Sequence, residues 1–237
     1  MGQTVKRYAI IVAGGMGQRM GSAVPKQFLQ LGSKPIIAWS IETLVSSQLI
    51  DRIIITIHPD YKQQLEDILH TYFPDTDFII THGGQTRQES CFNGLHAYNF
   101  ASDDIVLIHD AARPFVTADM INKCIEAAKL YGACGIYVPV KETIAQVNNS
   151  KVTHVLPRET LYAAQTPQCF RYSIIIDAHT KARESNITNA TDDVSLALLA
   201  GYTIQAVTGD FYTNIKITTN EDMELAKLLL NKQGFYR

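Results

Sequence analysis

A run of small residues followed by two cations stands near the start of the chain. It comprises Ala13, Gly14, Gly15 and Gly17, with Arg19 and Lys26 shortly after them. Glycines let a backbone pass close to phosphate oxygens, so that its N–H groups can point at them. Cations beside such a turn neutralise the charge that builds up when a phosphate reacts. The pattern therefore predicts a triphosphate-binding loop.

Two common glycine-rich motifs do not fit this loop. A dinucleotide-binding Gly-x-Gly-x-x-Gly beginning at Gly15 would put its third glycine at Met20, where a side chain blocks close contact between helix and strand. A Walker A motif ends in Gly-Lys followed by Ser or Thr, and the sequence has no Gly-Lys pair.

A second chemical cluster follows the apolar run Val106–Ile108, in His109-Asp110-Ala111-Ala112-Arg113. A buried strand that ends in Asp and then Arg puts a carboxylate and a guanidinium at the carboxyl edge of a sheet, beside the glycine loop. The carboxylate would hold a ribose hydroxyl, a substrate hydroxyl or a water bound to a metal. Alternatively, Asp110 and Arg113 form a structural ion pair. We interpret His109 as a packed histidine.

Three further segments carry candidate binding residues. Gly84, Gln85 and Ser90 open a helix whose first amides would contact a base or ribose, although the segment is equally a turn with a capped helix. Lys216 stands in an apolar run that reads as a strand, where an unpaired cation is costly unless it meets an anion. Arg158 and Thr166 flank a polar excursion of the chain and add a cation and a hydroxyl.

Strand-like and helix-like patterns alternate through the first 140 residues. Short β-branched runs predict strands at Arg7–Ala13, Asp51–Ile57, Asp77–Thr81, Asp104–His109 and Gly135–Val140. Helices are predicted at Ile36–Ser46, Tyr61–Tyr72, Gln88–Asn99 and Ala118–Tyr131, then at Tyr172–Arg183, Asp192–Ala200 and a final segment capped by Thr219. This order predicts an α/β fold with a doubly wound, mostly parallel sheet and ligands at the carboxyl ends of its strands.

The alternation breaks at Lys141–Leu156, which reads as two short strands around Asn148-Asn149-Ser150. This segment has too few apolar residues to build a core of its own. We predict a β-hairpin arm at about 141–157 that projects from a single domain spanning 1–237 and is covered by a partner subunit. The alternative is a loose surface excursion.

Composition excludes several classes of protein. The net charge of −2 and a pI near 6.4 give no basic field that would attract nucleic acid or anionic lipid. No apolar run is long enough to cross a bilayer, and the first residues lack the pattern of a signal peptide. The four cysteines show no Cys-x-x-Cys spacing, which predicts reduced thiols in a cytoplasm and no zinc site built by the protein.

Together these residues resemble the 2-C-methyl-D-erythritol 4-phosphate cytidylyltransferase family of the non-mevalonate isoprenoid pathway. The resemblance extends from Ala9 to about Leu229. The matching stretches are Ala13–Met20 with Pro25-Lys26-Gln27, Gly83-Gly84 with Ser90, His109–Pro114, Pro139–Thr143, Thr166–Gln168, Thr191–Ser195 and Asn214–Lys216. The resemblance implies a Rossmann-like nucleotidyltransferase fold and transfer of CMP from CTP to the sugar-alcohol phosphate, with release of pyrophosphate.

The resemblance also implies roles for individual residues. The nucleotide would be bound by Ala13, Gly14, Gly15, Gly17, Gly84, Gln85, Ser90, Asp110 and Ala111. Catalysis would depend on Arg19, Lys26 and Lys216, together with Mg²⁺ held mainly by the CTP phosphates. The substrate would be bound by Arg113, Thr143, Arg158 and Thr166, with Thr143 and Arg158 supplied by the other subunit of a homodimer.

Two alternatives remain open at the level of sequence. Ribitol-5-phosphate cytidylyltransferases share most of these motifs, although Ala112 and the Thr191–Leu198 segment favour the methylerythritol enzymes. A nucleotide-binding regulator that has lost catalysis would not need Arg19, Lys26 and Lys216 together. The family often has Asp where this chain has Gln85, so we expect backbone groups to read the base.

Overall fold

The structure, a computed structural model, describes residues 4–15, 24–210 and 213–232. Its strands are β1 (Arg7–Ala13), β2 (Gln30–Leu31), β3 (Lys34–Pro35), β4 (Arg52–Ile57), β5 (Phe78–His82), β6 (Ile105–Asp110), β7 (Ala133–Pro139), β8 (Ala145–Asn148), β9 (Lys151–Val155), β10 (Tyr162–Arg171) and β11 (Gln205–Thr208). Its α-helices are α1 (Ile36–Ser46), α2 (Lys62–Tyr72), α3 (Arg87–Leu95), α4 (Ala118–Tyr131), α5 (Tyr172–Glu184), α6 (Asp193–Leu199) and α7 (Asn220–Lys232).

Seven strands form one sheet in the order β11-β7-β10-β6-β1-β4-β5. β1 pairs in parallel with β4 and β6, β4 with β5, and β11 with β7. β10 alone runs against its neighbours β6 and β7. The predicted doubly wound and mostly parallel sheet is confirmed.

Alternate residues of the central strands enter two separate cores, because both faces of the sheet are covered. One face packs under α1, α2 and α4 and receives Ile11, Ile55 and Leu107. The other packs under α3, α5 and α6 and receives Ile10, Ile54 and Val106. Consecutive isoleucines in β1 and β4 are therefore buried on opposite sides of the sheet.

A third, smaller core attaches the last helix. Met223, Ala226 and Leu230 of α7 pack with Ile36 and Trp39 of α1. The predicted cap of this helix is confirmed, since the N–H of Asp222 donates to Oγ1 of Thr219 at 3.3 Å. In the part of the chain that the structure describes, no helix is long and apolar enough to span a membrane.

The largest difference from the sequence-based elements is β10, which has ten residues and was not predicted. The proline of Thr166-Pro167 argues against a strand in the sequence, because proline has no N–H group to donate to a ladder. The pairing with β7 is indeed irregular between Gln165 and Gln168. A strand accepts proline at such an irregularity. Helix α3 also ends at Leu95, four residues earlier than predicted.

The predicted pair of strands in the arm is confirmed. β8 and β9 pair with each other in antiparallel fashion and form a sheet of their own. Asn149 and Ser150 both have positive φ, 47° and 62°, as a tight two-residue hairpin turn requires. Every residue of both strands is exposed in the single chain.

Candidate functional site

Two adjoining cavities lie at the carboxyl ends of the parallel strands. The larger, called the main cleft, has a volume of about 700 Å³ and is lined by residues 12–15, 26–27, 58–59, 83–87, 89–90, 110–112, 216 and 218. The smaller, called the side cavity, has a volume of about 160 Å³ and is lined by residues 87, 110, 113, 164–166, 168, 191–192 and 216. The two cavities share Arg87, Asp110 and Lys216. A cleft of this size accepts a nucleotide.

The glycine loop that follows β1 is held from below by Gln27, which is buried. Nε2 of Gln27 lies 2.6 Å from the carbonyl oxygen of Ala13 and 3.2 Å from that of Gly15. The carbonyl of Ala13 and the N–H of Gly14 belong to the same trans peptide and point in opposite directions. Because that carbonyl faces Gln27, the N–H of Gly14 points away from it. A Cβ at Gly14 would lie only 2.8 Å from Oγ of Ser90, so a small residue lets the loop approach α3 closely.

Amides of the segment before α3 are already bound within the chain. The N–H of Gly84 donates to Oγ of Ser90 at 3.0 Å, and the N–H of Gln85 donates to Oε2 of Glu89 at 2.8 Å. Thr86 caps α3 by accepting from the N–H of Glu89 at 3.1 Å. These bonds engage the N–H groups of Gly84 and Gln85, so neither of these two amides is free to contact a base.

Asp110, the last residue of β6, stands where the two cavities meet, and it is 6% exposed. Its Oδ1 lies 3.0 Å from Nε of Arg87. Its Oδ2 lies 2.7 Å from Nζ of Lys216 and 3.6 Å from Nε of Arg113. Burial acts to raise the pKa of Asp110, but the attraction of these three cations outweighs it and holds the pKa well below the usual range. The carboxyl is therefore ionised, and with so low a pKa it is too weak a base to take up a proton near neutral pH.

A chain of hydrogen bonds fixes the backbone of Asp110. Its N–H donates to Oγ1 of Thr166 at 3.1 Å, and this hydroxyl lies 3.1 Å from Nδ1 of His109. Nε2 of His109 lies 3.1 Å from the carbonyl oxygen of Arg113. A carbonyl can only accept, so Nε2 carries the proton and Nδ1 accepts from the threonine hydroxyl. Burial lowers the pKa of His109 to about 4, in agreement with a neutral ring.

The segment around Lys216 is not the strand that we predicted. It is not paired in the sheet: the N–H of Ile217 donates to the carbonyl of Ala112 at 2.9 Å, and the N–H of Ile215 donates to the carbonyl of Thr213 at 2.8 Å. The buried amide of Asn214 anchors it instead, because Nδ2 donates to the carbonyl of Thr166 at 2.8 Å. Nη1 of Arg113 donates to the carbonyl of Asn214 at 2.8 Å. These bonds bring Lys216 to Asp110.

The structure brings most of the predicted residues together. The main cleft contains Ala13, Gly14, Gly15, Lys26, Gly84, Gln85, Ser90, Asp110, Ala111 and Lys216. The side cavity contains Arg113 and Thr166. Thr143 and Arg158 are exposed on the arm and are not among the residues that line either cavity. Gly17 and Arg19 lie outside the described residues.

Three residues of the site were not assigned a role from sequence. Gln27 and Asn214 were noted only as members of motifs, and Arg87 only as part of a helix start. Their contacts are with residues distant in the chain, so no local pattern could reveal them. A weak signal was available: each polar side chain stands next to glycine-rich or apolar segments, where a buried polar group needs a specific partner.

Metal binding by the protein itself has little support from the described cleft residues. Of the two carboxylates in the main cleft, Asp110 is bound to three cations and Glu89 to the backbone of Gln85. A divalent cation therefore fits this cleft through the phosphate oxygens of a bound nucleotide. The Mg²⁺ held mainly by the triphosphate stays a prediction.

Three cysteines converge elsewhere in the fold, in a way that their spacing did not indicate. The sulfur atoms of Cys124, Cys134 and Cys169 lie within 4.8 Å of one another, on α4, β7 and β10. The thiol of Cys134 donates to the carbonyl of Cys124 at 3.2 Å, and burial raises the pKa of Cys169 well above its ordinary value. All three side chains are buried within one apolar core, the usual setting of a structural cysteine, so we interpret them as packed core side chains.

Comparisons with known proteins agree on one family. The family model for 2-C-methyl-D-erythritol 4-phosphate cytidylyltransferase matches residues 8–232. Two curated proteins of that name are similar: one of Geobacillus kaustophilus (strain HTA426) is 39% identical, covering 94% of this chain and 96% of the relative. The other, of Clostridium botulinum (strain Langeland / NCTC 10281 / Type F), is 41% identical, covering 96% and 98%.

Solved structures give the same result. The crystal structure of 4-diphosphocytidyl-2C-methyl-D-erythritol synthase from Anaerococcus prevotii DSM 20548 has a TM-score of 0.83 and 30% identity, covering 96% of this chain and 99% of its own. That of Francisella tularensis 2-C-methyl-D-erythritol 4-phosphate cytidylyltransferase has a TM-score of 0.80 and 30% identity, covering 95% and 100%.

The neutral His109 makes stability depend on pH in a defined window. The folded protein keeps this ring neutral down to about pH 4, whereas the unfolded chain takes up the proton near the ordinary pKa of 6.5. Stability from this group is therefore complete above pH 6.5 and is lost as the pH falls towards 4, by about 3 kcal/mol. Urea unfolding from about pH 8 to 4 measures this loss.

The matched variant is His109→Gln, whose amide can also donate to the carbonyl of Arg113 and accept from Thr166. The variant should be less stable than the parent above pH 6.5. As the pH falls towards 4, its free energy of unfolding should decrease less than that of the parent, because it has no His109 to protonate. Parallel pH profiles for the parent and the variant would contradict this assignment.

Proposed function

The chain belongs to the 2-C-methyl-D-erythritol 4-phosphate cytidylyltransferase family and is a nucleotidyltransferase, and we propose that its two cavities divide the family's substrates between them. CTP occupies the main cleft, and 2-C-methyl-D-erythritol 4-phosphate occupies the side cavity. CMP is transferred to the phosphate of the sugar alcohol, and pyrophosphate is released.

One observation carries this proposal: a cationic cluster joins the two cavities. Arg87 and Lys216 line both cavities, and Arg113 lines the side cavity. All three contact the carboxylate of Asp110, and Arg87 also contacts Asp193, so three cations face two carboxylates and this cluster keeps an excess of positive charge. An anionic substrate phosphate and the α-phosphate of a nucleotide would meet at this junction.

The reaction needs charge neutralisation more than it needs a base. A phosphate monoester is already anionic near pH 7, so its oxygen can attack without losing a proton. His109 is neutral and bound to Thr166 and to the carbonyl of Arg113, so its ring is not placed to act as a base. Two unit charges about 4 Å apart interact by roughly 4 kcal/mol at an effective dielectric near 20, which is the repulsion that cations must offset.

Cations therefore stabilise the transition state in this mechanism. Lys26 and Lys216 both line the main cleft, and Arg19, which follows the glycines in the sequence, would add a third charge. Mg²⁺ bound to the triphosphate oxygens supplies further neutralisation of the leaving pyrophosphate. Lys216 keeps its ammonium near the reacting oxygens because Asp110 holds it at 2.7 Å.

Two backbone segments that line the main cleft bind the nucleotide. Ala13, Gly14 and Gly15, together with Gly17, contact the phosphates and ribose. Gly84, Gln85 and Ser90 lie on the side of the base, while Asp110 and Ala111 line the junction. Since the N–H groups of Gly84 and Gln85 are engaged, backbone carbonyls there would accept from the amino group of cytosine.

The exposed arm supports a homodimer in which each active site contains residues of both subunits. Its valines Val147, Val152 and Val155 are 58%, 65% and 63% exposed, and no part of the described chain covers them. Arg158 at its base has a guanidinium exposed to solvent, with Nη1 donating to the carbonyl of Lys141 at 3.2 Å. We infer that Thr143 and Arg158 complete the side cavity of a partner subunit.

The cellular setting follows from the same proposal. The substrates are small phosphorylated metabolites. The four cysteines are free and buried, which suits a reducing compartment. We infer that the enzyme works in the cytoplasm, without nucleic acid or membrane partners.

The direct test is pyrophosphate release by the full chain with CTP and Mg²⁺. We expect turnover with 2-C-methyl-D-erythritol 4-phosphate at least about tenfold above that with ribitol 5-phosphate, measured as kcat/KM side by side. CTP should be preferred over UTP and ATP. Faster turnover with ribitol 5-phosphate would assign the other sugar alcohol, and nucleotide binding without any pyrophosphate release would identify a regulator.

Lys26→Ala and Lys216→Ala should each lower kcat by about 100-fold or more, because a preorganised cation is lost where charge develops. The KM for CTP should change much less. Lys181→Ala is a matched control, since Lys181 pairs with Asp177 on α5 and lines neither cavity. A near-normal kcat in either site variant would remove that lysine from the mechanism.

The shared site is tested by mixing two inactive variants, Lys26→Ala and Arg158→Ala, and allowing subunits to exchange. In a mixed dimer one site then carries both defects and the other carries neither. Random exchange makes about half of the dimers mixed, so about a quarter of wild-type activity should return. If Arg158 acts within its own subunit, mixing restores nothing, and a tag on one variant confirms that exchange took place.

A further inference from the structure

A line of buried charges runs from the junction of the cavities into the layer of α5 and α6. Arg87 contacts Asp110 through Nε at 3.0 Å and Asp193 through Nη1 at 2.7 Å. The other oxygen of Asp193 lies 2.9 Å from Nε2 of His179. Asp193 and His179 are both fully buried, and neither lines either cavity. The reaction as described above does not use them.

A buried charge line of this kind is costly to build. Taking ions out of water carries a penalty of several kcal/mol for each, and apolar residues of similar size are often as stabilising. Burial acts to raise the pKa of Asp193, but Arg87 and the bond from His179 outweigh it and hold the pKa well below the usual range. The carboxylate therefore stays charged under the second helix layer, where its chief partner is Arg87.

Arg87 divides the two oxygens of Asp110 between different partners. Oδ1 faces Arg87, and Oδ2 faces Lys216 at 2.7 Å and Arg113 at 3.6 Å. Of the charges that lower the pKa of Asp110, Arg87 acts most strongly. With Oδ1 held, the carboxylate cannot rotate, so Oδ2 stays directed at Lys216. A lysine side chain is flexible, and its ammonium is placed only by what it binds.

The local structure explains how an arginine at the start of α3 can hold both Asp110 and Asp193. Thr86 caps the helix and so fixes the backbone of Arg87. The planar guanidinium donates through two nitrogens in a fixed fork, which lets one side chain bridge two carboxylates. Asp193 is fixed in turn at the start of α6, where its N–H donates to Oε1 of Gln168 at 3.1 Å.

We propose that Arg87, held by Asp193 and His179, is a positioning residue that orients Asp110 and through it Lys216. The inference rests on the proposed function in one respect, since it takes Lys216 to be a cation that stabilises the transition state. Asp193 acts from outside the cavities, so its loss should affect the rate of reaction more than the binding of CTP.

The test is Asp193→Asn, which leaves the amide oxygen for His179 but removes the charge that holds Arg87. We expect kcat to fall by about tenfold while the KM for CTP changes by less than about threefold. Arg87→Lys, which keeps the charge but loses the fork, should show the same split if Asp193→Asn does not fold. A kcat within about twofold of the parent in a folded variant would overturn the inference.

A structural role is separated from a positioning role by two comparisons. Asp104→Asn removes another buried carboxylate, hydrogen bonded to the amides of Lys6 and Ala101 beside the opposite end of β6, and it should leave kcat unchanged. In an Asp110→Asn background, Asp193→Asn should lower kcat by less than about twofold, because its effect passes through Asp110. A further fall in kcat of about tenfold in that background would contradict the proposal that Asp193 acts through Asp110.

Failure of the proposed function is recognised separately, by a wild-type chain that releases no pyrophosphate. The inference is then decided by the Nε–H proton signal of Arg87 in NMR spectra, assigned by its absence in Arg87→Lys. Exchange of this proton with water should become about tenfold faster or more in Asp193→Asn, and not in Asp104→Asn. Unaltered exchange in Asp193→Asn would show that Asp193 does not hold Arg87.

Discussion

The buried carboxylate of Asp110 is the charge on which the rest of the site depends. An ionised carboxyl can stay at the end of a buried strand only if cations meet it, because the loss of water costs several kcal/mol. Conversely, Arg87, Arg113 and Lys216 could not lie so close together without an anion between them. Carboxylate and cations therefore require each other, and together they fix the place where two cavities meet.

The sheet holds this carboxylate from two directions. Its backbone belongs to β6, between β1 and the reversed strand β10, and its N–H is bound by Thr166 of β10. Its side chain is held by Arg87, which belongs to the helix layer on one face. A group fixed at both ends cannot move when charge develops beside it, and such preorganised charges are what lower the barrier of a transfer reaction. The irregular proline segment of β10 is therefore part of the site.

In the proposed function, the two cavities bind anions by different means. The main cleft offers the backbone of the glycine loop, held from below by Gln27, together with Lys26, whereas the junction offers side-chain cations only. This division suits a reaction in which the nucleophile is already an anion. It also explains why the conspicuous histidine of the β6 motif is neutral, buried and bound into the hydrogen-bond chain that positions Thr166 and Asp110.

Sequence alone determined the features that depend on neighbours in the chain. Apolar runs and helical spacing predicted the doubly wound sheet. The turn at Asn148-Asn149-Ser150 predicted the hairpin, and the glycine loop with its cations indicated nucleotide chemistry. Tertiary structure decided which distant groups meet. Strand β10 was missed because it contains a proline, which is disfavoured within a central strand. The pair of Arg87 with Asp193 joins residues 106 positions apart. Periodicity reports whether a residue is buried, but a buried charge or thiol acquires its partner, its protonation and its role only when separate elements pack together.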